Sequence, residues 1–502
     1  MSTLSLEEFK RIANSANIVP VYQDIAHDIY TPLGLFLSFE NQPNCFLFES
    51  LEGGEKWGRY SFIGFGAQKI FETRGTEVKI TSESEKENFN SDAPFDELKK
   101  FLNQFMVCPT PDMPRLATGL VGFLGYDIVE FIEDIKRIPS DRNKSAVTAN
   151  FPDSFFFLPE VIIVHDNLKQ QLKVIAVVSV TSENSLDDQY FRARDKIEEV
   201  IDKIKNRNFF STLPEKNFQS IDIKSNTSRE DFELAVKKAI DHIISGDCIQ
   251  IVLSQRFSVD LKTHPISIYR TLRQINPSPY LFYLKMGENH LLGSSPEILV
   301  RLDQGRIQLR PIAGTRPRGK TEEEDKQLEQ ELLEDEKERA EHIMLVDLGR
   351  NDVGRVAELG TVKVDELMVV ERYSHVMHIV SNVVGQLAKD TDAVDVLKAV
   401  FPAGTVSGAP KVRAMEIINE LEKEARGPYA GAVGYFDFSG NMDFCINIRS
   451  FSITNNEVFF QVGAGIVADS DPQKEYQETI NKAKALIKAL EWAYSFDGKE
   501  KK

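Results

Sequence analysis

Cysteine and tryptophan are scarce in this sequence of 502 residues, which contains four cysteines and two tryptophans. The cysteines lie far apart and form no CxxC pair; they are Cys45, Cys108, Cys248 and Cys445. Because paired spacing is missing, both a zinc ribbon and a disulfide framework are disfavoured. We therefore expect reduced thiols, as in a cytoplasmic protein.

Long apolar runs are also missing. The apolar run at residues 155–164 is interrupted by Pro159 and Glu160, and it is too short to span a bilayer. The first residues, MSTLSLEEFK, show neither a basic start before an apolar core nor an Arg-rich amphipathic stretch. The sequence therefore predicts no membrane association, no secretory signal and no transit peptide, which favours a cytoplasmic location.

Positive charge is in deficit, with 60 Lys and Arg residues against 77 Asp and Glu residues and a net charge of −17. A nucleic-acid binder or a binder of anionic membranes needs a basic surface, so both classes are disfavoured. A small anionic substrate remains compatible, because it needs only a local cluster of positive groups. The hydrophobic content of 42% and the charged content of 27% are typical of globular chains and exclude wholesale disorder.

The pattern of apolar segments predicts an α+β fold. Short apolar segments bounded by turn residues predict strands, and short turns such as Ser439-Gly440-Asn441 join many of those in the second half. This arrangement favours large antiparallel β-sheets that form a sandwich-like core, with helices packed outside. We expect a first region over residues 15–180, a polar linker at residues 206–228, and a second region over residues 225–490.

Helix starts are predicted from local signals. Ser228 opens a capping-box pattern, and Asp471-Pro472 places proline where its missing N–H costs least. A third signature at Thr321 predicts one long charged helix that continues toward Leu348.

A carboxylate at the junction of two predicted strands is the first candidate for chemistry. It is Glu297, in the segment Gly293-Ser-Ser-Pro-Glu297. Burial between apolar strands would raise its pKa and fit it for general acid or base catalysis. Taken alone, the segment is better explained by a capped turn with a solvated glutamate.

A second candidate is the basic segment at residues 310–318. Gly314 lets the backbone approach a ligand closely, and Thr315 offers a hydroxyl. Arg316 and Arg318 have the chemistry of an anion clamp. The alternative is a basic surface loop that balances the acidic helix after it.

Carboxylates on two predicted helices form the third candidate. Glu341 precedes four apolar residues, so we expect one side of its helix to be buried. Glu475 and Glu478 are three residues apart and share one helix face. Carboxylates from separate helices suit Mg²⁺, whose other ligands are waters and substrate oxygens. Salt bridges to lysines such as Lys482 are the alternative.

Two further segments place polar side chains beside apolar runs. The segment at residues 402–411 carries Thr405 and leads into a helix start near Pro410, where free N–H groups favour anions. His375 and His378 are three residues apart, but no third zinc ligand is evident. For His378, a substrate-contacting imidazole and a core histidine both stay open.

An arginine on a predicted strand is the last candidate. Alternation along the predicted strand Phe444–Arg449 places Cys445, Asn447 and Arg449 on one face. The guanidinium stays charged and needs an anionic partner, which is either a substrate or a structural carboxylate. The segment Gly463-Ala-Gly465 leaves bare backbone donors nearby.

Together, these segments resemble component I of anthranilate synthase, a member of the chorismate-utilising enzymes. The resemblance rests on the order of the motifs PIAGTRPRG, EHIMLVDLGRNDVGRV, FPAGTVSGAPKVRAMEII and VGAGIVADSDPQKEYQET. It is dense over residues 228–490 and looser in the first half, where Phe48-Glu-Ser50 carries it. The combination of motifs is specific, although no single segment is.

The resemblance implies an enzyme that converts chorismate and ammonia to anthranilate and pyruvate, the first step of tryptophan biosynthesis. It implies Mg²⁺ as cofactor, with Glu341 and Glu478 as ligands. Glu297 resembles the acid that helps the C4 hydroxyl leave, and His378 and Thr405 resemble the other catalytic polar groups. The chorismate contacts that it implies are Gly314, Thr315, Tyr429, Arg449, Gly463, Ala464 and Gly465.

The resemblance also implies feedback inhibition by L-tryptophan, in a pocket of the first region apart from the active site. The pocket residues that it implies are Ser50, Pro279, Tyr280 and Leu281. The family pattern before this serine is Leu-Leu-Glu, whereas this chain has Leu47-Phe48-Glu49. We expect the bulkier Phe48 to alter the pocket and the strength of inhibition.

Two positions distinguish sister activities. Relatives that add water to chorismate carry a lysine where this chain has Gln250, and a neutral amide cannot act as a base. Relatives that make aminodeoxychorismate often carry a lysine where this chain has Ala313. Both positions favour anthranilate synthase over isochorismate synthesis and over aminodeoxychorismate synthase component I. A non-catalytic tryptophan-binding subunit is a further alternative, opposed by the presence of every expected polar group.

No glutaminase is evident in the sequence, because no Cys-centred nucleophile elbow flanked by glycines occurs. The resemblance therefore implies a separate glutamine amidotransferase subunit, component II, that supplies ammonia. We expect a heterotetramer with two copies of each subunit.

Overall fold

The structure is a computed structural model that describes residues 3–26, 30–50, 59–108, 113–135, 146–206, 218, 220–373 and 376–496. Two large antiparallel sheets dominate these residues, with helices on their outer faces, so the predicted α+β fold is confirmed. Most of the predicted linker at residues 206–228, and also His375, lie outside the described residues. None of the helices in the described ranges is both long and apolar enough to cross a membrane.

Within the described residues, the first sheet has twelve strands and joins the two halves of the sequence. Phe48 pairs with Phe282 across the junction of the halves. Along the sheet, the strands are β1 (Ile18–Ala26), β10 (Gln171–Ser179), β9 (Val161–Asp166), β3 (Tyr60–Phe65), β2 (Asn44–Glu49), β13 (Tyr280–Met286), β14 (Asn289–Ser295), β23 (Ser450–Thr454), β24 (Glu457–Ile466), β12 (Gln250–Asp260) and β11 (Lys224–Ser225), with β20 (Gly408–Ala409) also paired to β12.

The second sheet also has twelve strands in the part of the chain that the structure describes. Along the sheet, they are β17 (Ile312–Pro317), β19 (Val376–Gln386), β16 (Arg306–Leu309), β15 (Ile298–Asp303), β22 (Met442–Ile446), β21 (Ala432–Asp437), β7 (Gly119–Leu124), β8 (Ser154–Leu158), β4 (Lys69–Arg74), β5 (Glu77–Ser82) and β6 (Lys86–Asn90), with β18 (Lys363–Arg372) also paired to β19. This sheet too takes strands from both halves, since β21 pairs with β7.

The main apolar core lies between the two sheets. Phe46 and Phe282 enter it from the first sheet, and Phe156 and Phe444 enter it from the second. Each of these rings is at most 2% exposed. Full burial of one such ring stabilises the fold by about 1.5–3 kcal/mol, so the alternating apolar residues hold the sheets face to face.

The helices begin where local capping predicts. Ser228 accepts the N–H of Asp231, and Asp471 accepts that of Gln473 ahead of Pro472. The helices are α1 (Leu6–Ala13), α2 (Pro32–Phe36), α3 (Pro94–Leu102), α4 (Ala146–Asn150), α5 (Leu186–Lys205), α6 (Arg229–Ile244), α7 (Pro265–Ile275), α8 (Glu322–Glu334), α9 (Glu336–Gly354), α10 (Ala393–Val400), α11 (Lys411–Leu421) and α12 (Pro472–Tyr494). Helices α5, α7 and α12 cover the outer face of the first sheet.

Two predicted elements differ in the structure: one helix is split in two, and one strand ends early. The single helix predicted from Thr321 toward Leu348 is wrong, because Asp335 ends α8 and its carboxylate accepts the first N–H groups of α9. The strand predicted to reach Arg449 is also wrong in its second half. Strand β22 ends at Ile446, and Arg449 has a φ of 52° in the turn before β23.

Candidate functional site

Glu297 lies between the end of β14 and the start of β15. Its backbone carbonyl accepts the N–H of Ile446 at 3.0 Å, which fixes the turn against β22. The side chain is buried, and burial raises the pKa of its carboxyl to about 8, although Thr405 and Arg449 act to lower it. The carboxyl therefore keeps its proton near neutral pH and is suited to act as an acid.

His378 lies on β19 beside a bulge of β17. Its Nδ1 is 3.0 Å from the carbonyl oxygen of Gly314 and 3.0 Å from the hydroxyl of Thr315. Because a carbonyl only accepts, Nδ1 carries the proton and Nε2 keeps its lone pair. Burial lowers the pKa of His378, while the Gly314 carbonyl opposes this shift. The imidazole is therefore neutral near pH 7.

The bulge at Gly314 depends on glycine. Gly314 has a φ of 70°, and the pairing register of β17 with β19 shifts between Ala313 and Thr315. A side chain there would be strained in this conformation. The bulge turns the Gly314 carbonyl and the Thr315 hydroxyl toward the same imidazole.

Arg449 connects the two groups electrostatically. Its charge acts on the carboxyl of Glu297 and on the imidazole of His378. The side chain keeps an exposed surface, but the surrounding protein partly desolvates it and lowers its pKa, which Glu297 opposes. A charged guanidinium that is partly desolvated but still reaches solvent is suited to bind an anionic ligand.

Thr405 lies in the short 3₁₀ turn Gly404–Val406, opposite Glu297. Both residues line one cavity of about 400 Å³ with Arg310 and Leu309. The Thr405 hydroxyl is close enough to the Glu297 carboxyl to act toward a lower pKa. Among the described residues, no group forms a hydrogen bond of good geometry with this hydroxyl. A buried hydroxyl of this kind is available to a ligand.

The glycine-rich end of β24 leaves room for side chains from other elements. In the pairing of β24 with β12, Gly463, Ala464 and Gly465 lie opposite Ser254, Leu253 and Val252. A Cβ on Gly463 would come within 2.9 Å of the Tyr429 hydroxyl. A Cβ on Gly465 would come within 2.5 Å of the Gln250 Nε2. These two glycines therefore make room for Tyr429 and Gln250, a purpose that the sequence does not indicate.

Gln250 in turn contacts the carboxylate of Glu341. Its Nε2 donates to Glu341 Oε1 at 3.0 Å. Glu338, one helical turn before Glu341, has a raised pKa through burial, to which the charge of Glu341 adds. The first turns of α9 thus present two carboxylates on one face.

The start of α12 presents the second pair of carboxylates, those of Glu475 and Glu478. Glu475 has a raised pKa through burial, to which the charge of Glu478 adds. Glu478 is exposed and pairs with Lys482 at 2.8 Å, as the alternative interpretation anticipated. Lys337 of α9 pairs with Asp469 at 3.6 Å, which holds the starts of the two helices near each other.

The described residues hold no group of three or more His, Cys, Asp or Glu side chains arranged around a metal ion. Carboxylate oxygens are nevertheless the ligands that Mg²⁺ prefers, and protein Mg²⁺ sites often use only one or two of them. The carboxylates on α9 and α12 are therefore of the ligand type that Mg²⁺ prefers.

The arginines of the predicted anion clamp are engaged in ion pairs. Arg316 binds Asp335 at 2.8 Å and Glu338 at 3.3 Å. Arg318 binds Asp325 at 2.9 Å. These pairs match the alternative that the sequence offered, a basic loop that balances the acidic helix.

The predicted effector residues line one cavity between the sheets, with a volume of about 600 Å³. These residues are Ser50, Pro279, Tyr280 and Leu281. Phe48 also lines the cavity. On its polar side, Asp443 accepts hydrogen bonds from the Tyr280 hydroxyl at 3.0 Å and from Arg301 Nε at 2.8 Å.

The sequence matches the profile of the chorismate binding enzyme family over residues 43–488. The chain belongs to the chorismate binding enzymes. It is 50% identical to anthranilate synthase component 1 of Aquifex aeolicus, with 98% of each chain covered. It is 45% identical to that of Acetivibrio thermocellus, with 97% of this chain and 98% of the relative covered.

Among solved structures, the chain resembles anthranilate synthase component I from Streptococcus pneumoniae. The TM-score is 0.76 and the identity is 37%, with 92% of this chain and 99% of that chain covered. Within the chorismate binding enzymes, the chain is thus an enzyme of the anthranilate synthase component 1 type.

Two residues at the site were missed from the sequence. Glu338 is three residues before Glu341, and this i,i+3 spacing is a signal that could have found it. Arg426 is buried beside Tyr429, with its guanidinium carbon 5.8 Å from the ring centre. Its pair with Glu422, four residues earlier, is a local signal, but its other hydrogen-bond partners come from distant segments, so the sequence does not show that Arg426 is buried.

Proposed function

We propose that this enzyme converts chorismate and ammonia to anthranilate and pyruvate, the first step of tryptophan biosynthesis. The observation that carries the proposal is the grouping of a protonated acid, Glu297, with the cation of Arg449 and the neutral imidazole of His378. The relatives named anthranilate synthase component 1 support the choice of reaction.

Substrate binding follows from charge. Chorismate carries two carboxylates, and Arg449 offers a cation for one of them. Backbone groups of Gly463, Ala464 and Gly465, with the hydroxyls of Thr315 and Tyr429, are the polar groups proposed to orient the ring.

The chemical step uses Glu297 as the acid. Ammonia forms a bond to C2 of the ring while the C4–O bond breaks, and the Glu297 proton lets the hydroxyl leave as water. Thr405 lies beside this carboxyl, and the neutral His378 can accept a hydrogen bond from the substrate. The C2 proton is then lost as the C3–O bond breaks, and the enolpyruvyl methylene carbon gains a proton, which releases pyruvate and leaves the aromatic amine.

We further propose that Glu341 and Glu478 hold Mg²⁺. When bound, Mg²⁺ would anchor the ring carboxylate and stabilise negative charge. Gln250 holds the Glu341 carboxylate in place, and Lys482 competes for Glu478 until the cation is present.

The cavity lined by Ser50 and Tyr280 is proposed to bind L-tryptophan as a feedback inhibitor. Aromatic rings line it together with the polar groups of Asp443 and Arg301, a lining that suits an aromatic amino acid. The cavity adjoins the acid, because Cys445 lines it and the next residue, Ile446, binds the Glu297 carbonyl. Inhibitor binding can therefore be coupled to Glu297.

The ammonia is proposed to come from glutamine through a separate amidotransferase subunit, in a heterotetramer with two copies of each. The relatives carry the name component 1, which supports the existence of a second component.

The test uses the purified chain alone with chorismate, Mg²⁺ and an ammonium salt at alkaline pH, followed by anthranilate fluorescence. We expect anthranilate to form and its rate to fall when L-tryptophan is added. Consumption of chorismate without anthranilate would contradict the proposal, and the mass of the product would then distinguish aminodeoxychorismate from isochorismate. No consumption of chorismate, also with the amidotransferase present, would favour a tryptophan-binding subunit without activity.

A further inference from the structure

A buried ion pair lies directly behind the candidate active site. Arg426 is 2% exposed, and its guanidinium binds Glu422 through two hydrogen bonds, Nε to Oε2 at 2.9 Å and Nη2 to Oε1 at 2.7 Å. Burial works against the charged guanidinium, but Glu422 and the neighbouring tyrosines outweigh it and raise the pKa of Arg426. Arg426 is therefore a permanent cation in the interior.

The remaining donors of this guanidinium hold two backbone carbonyls from distant segments. Nη1 donates to the carbonyl of Val406 at 2.7 Å, and Nη2 donates to that of Val252 at 2.8 Å. The guanidinium carbon also lies 4.5 Å from the ring centre of Tyr126 and 5.8 Å from that of Tyr429.

Three of these contacts lie at or beside a candidate substrate group. Val406 follows Thr405 in the 3₁₀ turn. Val252 lies opposite Gly465 in the pairing of β12 with β24. The Tyr429 ring, itself a candidate substrate contact, has its centre 5.8 Å from the guanidinium carbon.

Glu422 adds a second point of contact with β12. Its Oε1 accepts the N–H of Ser254 at 2.9 Å and the hydroxyl of Ser254 at 2.8 Å. That hydroxyl also accepts Nε2 of Gln461 at 2.8 Å, and Ser254 lies opposite Gly463.

We propose that Arg426 and Glu422 are positioning residues that hold Thr405, Tyr429 and the Gly463–Gly465 strand in the arrangement that the reaction needs. This inference rests on the proposed function, because it assigns these groups to substrate binding. Neither residue touches the substrate itself.

A role in stability alone does not explain this ion pair. Replacing a buried ion pair by apolar side chains of similar volume is often neutral or stabilising, because burying charge is costly. Only a planar guanidinium can bind Glu422 through two bonds and still donate to two carbonyls. The geometry of the pair is thus its distinctive property.

The decisive variant removes both charges at once, as Arg426→Met with Glu422→Met. Each single variant leaves an unpaired buried charge, so we expect each to lower the melting temperature. The double variant should recover much of that loss, yet its kcat/KM for chorismate should stay on the order of a hundredfold below the parent. Recovery of kcat/KM together with stability would overturn the proposal.

A second variant keeps the test valid if the double variant does not fold. Arg426→Lys retains the charge beside Glu422 but has a single nitrogen, so it cannot hold both carbonyls. We expect it to fold and to lower kcat/KM. An unchanged kcat/KM in Arg426→Lys would also contradict the positioning role.

Arg256 provides the matched control. It is equally buried and binds Glu424 and the carbonyl of Ala425, but it holds neither the Thr405 turn nor the Tyr429 ring. Arg256→Lys should lower the melting temperature with little change in kcat/KM. If the parent chain forms no anthranilate from chorismate and ammonium, the proposed function fails; if it does and Arg426→Lys behaves like Arg256→Lys, only this inference fails.

Discussion

Gln250 donates a hydrogen bond from its amide to the carboxylate of Glu341, with 3.0 Å between Nε2 and Oε1. Gly465 on the neighbouring strand leaves the space in which this amide lies. The neutral side chain of Gln250 thus holds the proposed Mg²⁺ ligand Glu341 on the side that faces β24. Partners of metal ligands often matter nearly as much as the ligands themselves.

The first prediction concerns this space. In Gly465→Ala, the new Cβ would lie 2.5 Å from Gln250 Nε2, so the amide must move away from Glu341. The fold should remain intact, because the atom that the new Cβ approaches is at the end of the flexible Gln250 side chain, which can move. We expect the Mg²⁺ concentration for half-maximal rate to rise about 10-fold or more. Gly354→Ala, which meets no atom within 4 Å, is the control. An unchanged Mg²⁺ dependence would contradict the link between Gln250 and Glu341.

The second prediction concerns the acid. The pKa of Glu297 is raised to about 8, and only its protonated form can donate. With free ammonia held constant, the rate should fall as the pH rises through about 8. Glu297→Gln cannot donate a proton, so kcat should drop by about 10²–10⁴-fold and the alkaline fall should disappear. A pH profile that matches the parent's would assign the acid to another group.

The third prediction concerns the effector cavity. Ser50→Ala should weaken inhibition by L-tryptophan about 2- to 10-fold, the value of one hydrogen bond, and leave turnover without tryptophan unchanged. Inhibition curves of the variant and the parent would be compared. Ser38→Ala, at a buried serine outside this cavity, is the control and should not move the curve. If the curves of Ser50→Ala and the parent overlap, Ser50 does not contribute to inhibitor binding.

The fourth prediction concerns the second proposed ligand. Glu478→Gln should abolish activity at low Mg²⁺ while the melting temperature stays close to the parent's. Its exposed pair with Lys482 contributes only about 0–1 kcal/mol to stability. Binding of Mn²⁺ to the chain, followed by electron paramagnetic resonance, should weaken in parallel. Glu491→Gln on the same helix is the control, and equal Mn²⁺ binding in both variants would refute the assignment.

The sequence by itself determined the elements whose signals are local. Ser228 and Asp471-Pro472 cap α6 and α12 because a cap depends on residues within one turn. Short apolar segments bounded by turn residues likewise predicted the strands of the antiparallel sheets, since both signals lie within or next to each strand. The order of motifs also indicated the family.

Only the tertiary structure decided which distant groups meet. Asp335 divides the long charged helix because its carboxylate caps α9, although the charged pattern continues across it. Arg449 lies outside its predicted strand because β22 ends at Ile446 and the chain passes from the second sheet to β23 of the first. Besides Glu422, four residues earlier, Arg426 binds the carbonyls of Val406 and Val252 on two distant segments. Such contacts depend on sheet pairing and packing between remote residues, which no local pattern encodes.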